Sequence, residues 1–313
     1  MKYIESFRDG DNISDVYLIK NRQSAVTKNG KPYDSLILQD KTGTIDAKIW
    51  EPNSAGIDDF DALDYVQIGG SVTSFNGALQ VSVKRARLCH EGEYVPADYL
   101  PVSSKDIGEM YDELLGFVDS VKSSYLNALL KKFFVEDEAF IANFKENSAA
   151  KSIHHGFIGG LLEHTLSVTK MCNYYASAYP AINRDLLISV AMLHDIGKVK
   201  ELSKFPVNDY TDDGQLLGHI VMGVEMVGRK IDEIPDFPDT LAGEVKHCIL
   251  AHHGEYEFGS PKKPAIIEAV ALNFADNTDA KLETMSELFA STYEQGWLGF
   301  NRLFDSNVRK TTV

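Results

Sequence analysis

The hydrophobic period of this chain changes once, and that change dictates its architecture. Up to about residue 90, apolar and polar residues alternate in the short runs DVYLIK, DSLILQD, TIDAKIW and LQVSVK. A period of two places successive side chains on opposite faces of a strand. Turn signals separate the runs: Asn29-Gly30, Asp40-Lys41-Thr42-Gly43, Gly69-Gly70 and Asn76-Gly77. Asn-Gly pairs accept the positive φ angles of tight hairpins, and short strands at this spacing predict a small closed barrel. The pattern breaks in EGEYVPADYLPVSSKDIGE, where two prolines precede a Ser-Ser-Lys-Asp helix start. From MYDELLGFVDSVKSSYLNALLKKFF onward the period is 3.6, with later helices expected near 157–178, 184–196, 215–232, 239–252 and 264–290. The reading is multidomain: an all-β barrel over residues 1–90, a linker over 91–106, an all-α domain over 107–295 and a tail over 296–313. A length of 313 residues suits two domains.

Charge follows the same division. The net charge is −15, but residues 1–90 carry 11 Lys/Arg against 12 Asp/Glu, while the remainder carries 20 against 34. The acidity therefore belongs to the helical part and does not exclude a polyanionic partner for the barrel. Cys89, Cys172 and Cys248 are isolated, with no C-x-x-C pair. They read as small buried apolar residues of a chain in a reducing compartment, not as disulfides or zinc thiolates. The N-terminus MKYIESFRDGDNISD has no apolar signal region, and the run LLISVAML is too short to span a bilayer. A cytoplasmic protein without a membrane partner is expected.

Eight of the nine histidines lie between His154 and His253, inside the helical part. His164 shares an apolar stripe with Leu161, Val168 and Met171. His194-Asp195 ends the apolar run of VAMLHDIGKVKE. His219 lies with Leu216 and Met222, His252-His253 end EVKHCILAHHG, and Asp276 sits in the otherwise apolar face of AIIEAVALNFADNTDAK. One inward histidine is ordinary core chemistry. Inward carboxylates are costly unless paired, and so many donors on five successive helices point to a divalent metal. Nitrogen and oxygen donors without thiolate suit Mn, Fe, Co, Ni, Mg or Zn. His164, His194, Asp195, His219, His252 and Asp276 make six donors, enough for two ions sharing a carboxylate or for one six-coordinate ion. Neighbouring side chains on a helix diverge by about 100°, so His194 and Asp195 could flank one ion while Asp195 reaches another. Lys198 falls four residues after His194 and is a candidate for a phosphate oxygen or the nucleophile. Gly197 is expected to loosen the helix end and admit substrate closely.

The order H…HD…H…H…D, with the doublet in HDIGK, resembles the HD superfamily of metal-dependent phosphohydrolases over residues 150–290. The resemblance implies that His164, His194, Asp195 and Asp276 hold a first metal, and that Asp195, His219 and His252, with His253, hold a second. It also implies hydrolysis by metal-activated water. HHGEYEFGSPK lacks the G-Y-P segment of the cyclic-dinucleotide subfamily.

SLILQDKTGTIDAKIWEP and GGSVTSFNGALQVSVKRARL resemble an OB-fold of the nucleic-acid-binding type over residues 12–90. Such barrels stack bases on aromatics beside a basic track. The candidates are Trp50 and Phe75 for stacking, and Lys48, Lys84, Arg85 and Arg87 for phosphates; a barrel-filling role for the two aromatics is the competing reading. OB-fold followed by HD domain, with the run AKSIHHGFIGGLLEHTLSV, resembles the YhaM family of bacterial 3′→5′ exoribonucleases over nearly the whole chain. That resemblance implies Mn-dependent removal of 5′-mononucleotides from single-stranded RNA, with DNA as a further substrate, and contacts from His154 and His155 to substrate. Other readings are an HD phosphodiesterase of a small nucleotide and a non-catalytic single-strand-binding protein. A two-iron oxygenase would use the same donors but leaves the barrel unexplained. A homo-oligomer would lengthen the short track of one barrel.

Overall fold

The computed structural model describes all residues except Lys28, Asn76, 152–154, Ser291, Tyr293, Glu294 and Val313. The expected contact from His154 and the Asn76 half of one turn therefore lie outside the described residues. The chain divides into two compact units, Met1–Val102 with Lys204–Val207, and Ser103–Ser203 with Asn208–Val313.

The first unit is a closed five-stranded barrel of β1 (Asn12–Val26), β2 (Pro32–Asp40), β3 (Gly43–Ile49), β4 (Tyr65–Phe75) and β5 (Ala78–Leu88), in the order β1-β2-β3-β5-β4. β1 pairs antiparallel with both β2 and β4, and the parallel β3–β5 contact completes an OB-fold. Alternation works as read: in β2, Asp34, Leu36, Leu38 and Asp40 point inward while Tyr33, Ser35, Ile37 and Gln39 point outward. The core includes Ile13, Tyr17, Ile19, Leu36, Leu38, Ile49, Val66, Ile68, Val72, Val81 and Val83. Buried Asp34 accepts from Nε and Nη2 of Arg22 and from Ser24 Oγ, at 3.0, 2.7 and 2.7 Å. Buried Asp40 ties the β2–β3 turn, accepting from Thr42 N and, through its other oxygen, from Ile4 N, each at 2.7 Å.

Gly69-Gly70 is not a turn. The pair lies inside β4, where the register with β5 shifts, and a Cβ on Gly70 would meet Ser82 O at 2.4 Å. Glycine here permits a bulge and a close strand approach that bend the sheet toward closure. Residues expected as linker partly pack with the barrel: Tyr94 stacks on Tyr65 at 3.8 Å between centroids, and Tyr99 and Leu100 are buried.

The second unit contains α1 (Ile107–Ser120), α2 (Ser124–Phe134), α3 (Glu138–Glu146), α4 (Gly160–Ala178), α5 (Arg184–Leu193), the single turn α6 (Lys198–Glu201), α7 (Asp212–Asp232), α8 (Asp239–Ala251) and α9 (Ile267–Ala290). Asp106 caps α1 by accepting from Glu109 N at 2.9 Å, which makes the Ser-Ser-Lys-Asp signal a true helix start. Every residue of α5 from Leu186 to Leu193 is buried, so this helix runs through the core and delivers its C-terminus to the interior. α7 breaks at Gly218, whose φ of 74° and ψ of 157° are not helical. The tail forms an antiparallel ribbon of β6 (Trp297–Asn301) and β7 (Ser306–Arg309). Among the described residues, no helix is long and apolar enough to cross a membrane. All three cysteines are free and buried.

Candidate metal centre

Five helices bring the six sequence-derived donors together. His164 comes from α4, His194 from the C-cap of α5, Asp195 from the turn that follows, His219 from α7 just past its break, His252 from the C-cap of α8 and Asp276 from α9. His164 Nε2 lies 3.2 Å from His194 Nε2, 3.4 Å from Asp195 Oδ2 and 3.2 Å from Asp276 Oδ1. The other oxygen of Asp195, Oδ1, lies 3.4 Å from His219 Nε2 and 3.6 Å from His252 Nε2. Asp195 thus faces one donor group with each oxygen. His253 stands beside the second group, its ring 4.3 Å from that of His252 and 5.3 Å from that of His219.

The other ring nitrogens set the chemistry of this cluster. Nδ1 of His194 and of His252 contacts the carbonyls of Ala191 and Ile249 at 2.7 Å, and Nδ1 of His253 contacts Phe258 O at 2.9 Å. A carbonyl only accepts, so these nitrogens carry the proton and each Nε2 presents a bare lone pair. His164 Nδ1 donates to Asp279 Oδ2 at 2.7 Å, and His219 Nδ1 to Glu201 Oε1 at 2.9 Å, with the same result. Apart from the Lys198 ammonium, which reaches Asp195 Oδ2, the cluster therefore gathers acceptors that face one another. Among the described residues, Asp195 Oδ1, His219 Nε2 and His252 Nε2 are buried side-chain atoms without a hydrogen-bond partner. Unpaired buried acceptors are costly, and a divalent cation is the species that satisfies all of them at once. The donor set fits a metal.

Electrostatics agree. Burial opposes charge on His164, yet the carboxylates of Asp195, Asp276 and Asp279 raise its pKa well above the ordinary histidine value. Burial likewise works against Asp195, but Lys198 and His194 hold its carboxyl well below the usual range. Burial and then the neighbouring His253 push His252 well down, toward the neutral ligand form. The same cluster can be neutralised by a proton on His164 or by a cation among its donors.

Lys198 reaches the centre by a different path from the one expected. α5 ends at Leu193, and a turn that keeps right-handed helical angles at His194 and Gly197 but bonds from i to i+3 carries the chain to α6, where Lys198 Nζ meets Asp195 Oδ2 at 2.6 Å. Gly197 does not loosen the helix end for substrate. It is buried, with φ −61°, and a Cβ there would meet His219 O at 1.9 Å and Gly223 N at 2.8 Å. Glycine at 197 lets α7 approach the HD turn. A cavity of about 460 Å³ opens on the centre, lined by Ala149, Lys198, His253, Phe258 and Asn277 among others.

His155, expected at substrate, is buried and bonds Asp279 Oδ2 through Nε2 at 3.0 Å. Asp279 and Glu201 were not anticipated. Asp279 carries a readable signal, since Asp276 and Asp279 stand at i and i+3 on one helix face. Glu201 carries none, because its partner is 18 residues away and depends on the break at Gly218.

On the barrel, Trp50 and Phe75 are exposed (49% and 63%) and do not fill the interior. Trp50 pairs with Tyr33 at 5.4 Å, and Lys48 Nζ lies 6.0 Å from the Tyr33 ring, which adds an aromatic that the sequence did not single out. These three residues lie on or beside the outer face of β2–β3. Phe75 stands apart at the β4–β5 turn. Lys84 and Arg85 are exposed, whereas Arg87 is occupied by both oxygens of Glu93, at 3.0 and 3.1 Å.

Residues 161–281, which span all six donors, match the HD domain family. The chain is 34% identical over 278 residues to the 3'-5' exoribonuclease YhaM of Bacillus velezensis, covering 88% of this chain and 87% of the relative. It is 32% identical over 286 residues to the protein of the same name from a Geobacillus species, covering 90% and 86%. Over 30% of this chain and 98% of the other, it is similar to the second OB-fold domain of replication protein A from Methanococcus maripaludis, at 17% identity and a TM-score of 0.24. Identity of about one position in three along nearly nine-tenths of both chains, with the HD donors inside the matched region, means that this protein belongs to the YhaM family.

Proposed function

We propose that the chain is a divalent-metal-dependent 3′→5′ exoribonuclease that releases 5′-mononucleotides from a single-stranded end. The observation that carries this reading is the convergence of bare Nε2 lone pairs and carboxylate oxygens in one buried centre. It occurs in a chain whose relatives are named 3'-5' exoribonucleases. Two ions are proposed, manganese first among the candidates. His164, His194 and Asp276 would hold the first, and His219 and His252, with His253 at hand, would hold the second, with Asp195 available to both. Bound there, divalent ions lower the pKa of water toward neutrality and offset phosphate charge.

The remaining work falls to the chain. In the hydrolysis a water oxygen joins phosphorus and the bond to O3′ of the preceding nucleotide breaks. That oxygen takes a proton, and the shortened strand again ends in a 3′-hydroxyl. Lys198, on the cavity wall, neutralises a non-bridging phosphate oxygen. The exposed ring of Phe258 offers the terminal base a stacking surface, and Asn277 offers amide groups to the ribose or base. Residues 1–90 bind the single strand through Tyr33, Trp50 and Lys48, with Lys84 and Arg85 adding positive charge, while residues 107–295 perform the hydrolysis. The working location is the cytoplasm, and self-association would extend the track of one barrel.

The test is incubation of the protein with Mn²⁺ and a 5′-labelled single-stranded RNA. A ladder shortening from the 3′ end, lost on chelation and in Asp195→Ala, is expected. Hydrolysis of free nucleotides with no ladder would overturn the proposal.

A further inference from the structure

We infer that Glu201 and Asp279 are positioning residues, one for each metal position, each fixing the tautomer and direction of a single histidine ligand. The inference rests on the two-ion reading above and assigns separate residues to the two positions.

Glu201 is the last residue of α6 and of the stretch HDIGKVKE, and its carboxylate is mostly buried. The break at Gly218 interrupts the helical ladder of α7, so the amide N–H of His219 starts a new helical segment without a partner inside it. Glu201 Oε1 accepts that N–H at 2.9 Å and also accepts Nδ1–H of the same histidine at 2.9 Å. One carboxylate oxygen therefore caps the second half of α7 and holds the imidazole with Nε2 turned to Asp195 Oδ1. Its placement depends on close backbone packing: a Cβ on Gly214 would meet Glu201 O at 2.3 Å, and Thr211 N donates to that carbonyl at 2.9 Å. Removal of the carboxylate would free both the helix start and the ring.

Asp279 does the equivalent for His164. Its Oδ2 accepts from His164 Nδ1 at 2.7 Å and from His155 Nε2 at 3.0 Å. His155 is anchored in turn, because its carbonyl accepts from Ala149 N at 3.0 Å and packs where a Cβ on Gly160 would lie, 2.0 Å away. The Asp279 carboxylate thus ties the start of α4 to α9 and leaves His164 Nε2 bare toward His194 and Asp276. Asp279 also groups with His155 and His164, but both carboxylates engage the Nδ1 side of their histidine, while Nε2 is the atom that faces Asp195.

Partners of this kind change metal affinity by roughly 10–100-fold when removed. The experiment measures Mn²⁺ binding to the full-length metal-free protein by titration, with bound ions counted per chain, for the parent, Glu201→Gln, Glu201→Ala, Asp279→Asn and Asp279→Ala. Melting in chelator serves as the folding control, and the Gln and Asn variants carry the test if an Ala variant fails to fold. The expected result is two ions per chain in the parent and a loss of roughly 10–100-fold at one ion only in each variant. Metal-bound crystals should show the weakened ion beside His219 for Glu201 and beside His164 for Asp279. Two ions in the parent with unchanged affinities in every folded variant would overturn this inference alone. Fewer than two ions in the parent would instead overturn the two-ion reading.

Discussion

His164 and His194 face each other through their Nε2 atoms at 3.2 Å, although both Nδ1 atoms already donate, to Asp279 and to the carbonyl of Ala191. Two lone pairs at that separation, with the Asp195 and Asp276 oxygens beside them, make a site that is stable only when it is charged positively. Metal loading should therefore stabilise the helical unit. An ion present at 100 times its dissociation constant adds about 2.7 kcal/mol per site. Calorimetric melting in Mn²⁺ and in chelator should differ by several degrees, and coincident transitions would argue against a metal site.

Asp195 is the side chain that both donor groups share, so its removal should be the most damaging single change at the centre. Asp195→Ala should lose turnover to the level of the chelated enzyme while retaining single-strand affinity on the barrel. Parallel degradation and anisotropy measurements check this. Equal loss of binding and turnover would mean that the residue acts through folding.

The barrel predictions separate aromatic from ionic contributions. Tyr33→Ala and Trp50→Ala should each weaken binding of an unstructured oligoribonucleotide by about 1–3 kcal/mol, the usual worth of one base stack. Lys48→Ala should lower the salt dependence by roughly 0.7 in log–log slope. Arg87→Ala should do neither, because Glu93 occupies its guanidinium. Titrations at several salt concentrations distinguish these results, and a large effect of Arg87→Ala would relocate the binding face.

Gly197→Ala tests the close approach of α7 to the HD turn. Its methyl would fall 1.9 Å from His219 O, and the backbone must move to admit it. Overpacking of this kind costs roughly 1–3 kcal/mol. Urea unfolding should show that loss, and Mn²⁺ affinity at the His219 position should fall with it. Unaltered stability would show that α7 can yield.

Much of this molecule was legible before its structure. The shift in period at residue 90 gave a barrel and a helical unit, because alternation and the 3.6 repeat report which side chains turn inward. The same repeat marked His164, His219 and Asp276 as inward donors, and the apolar run before His194 showed that the HD doublet ends a core helix. Periodicity reports a direction relative to one element, however, and not the residue met on arrival. The roles of Asp279 and Glu201 went unread for that reason: the i, i+3 spacing puts Asp279 on the face of Asp276 but does not name His164 as its partner, and Glu201 is an ordinary acidic residue until α6 is packed against His219. Gly69-Gly70 and Gly197 were misread for a related reason. A missing Cβ has the same local signature in a turn, a bulge or a close helix approach, and only the neighbouring backbone, Ser82 for Gly70 and His219 for Gly197, decides which it is. The sequence alone determined which atoms could bind a metal. Local backbone bares Nε2 of His194 and His252, whose Nδ1 protons go to carbonyls three residues back, whereas tertiary packing decides it for His164 and His219, whose Nδ1 protons go to Asp279 and Glu201 from other helices.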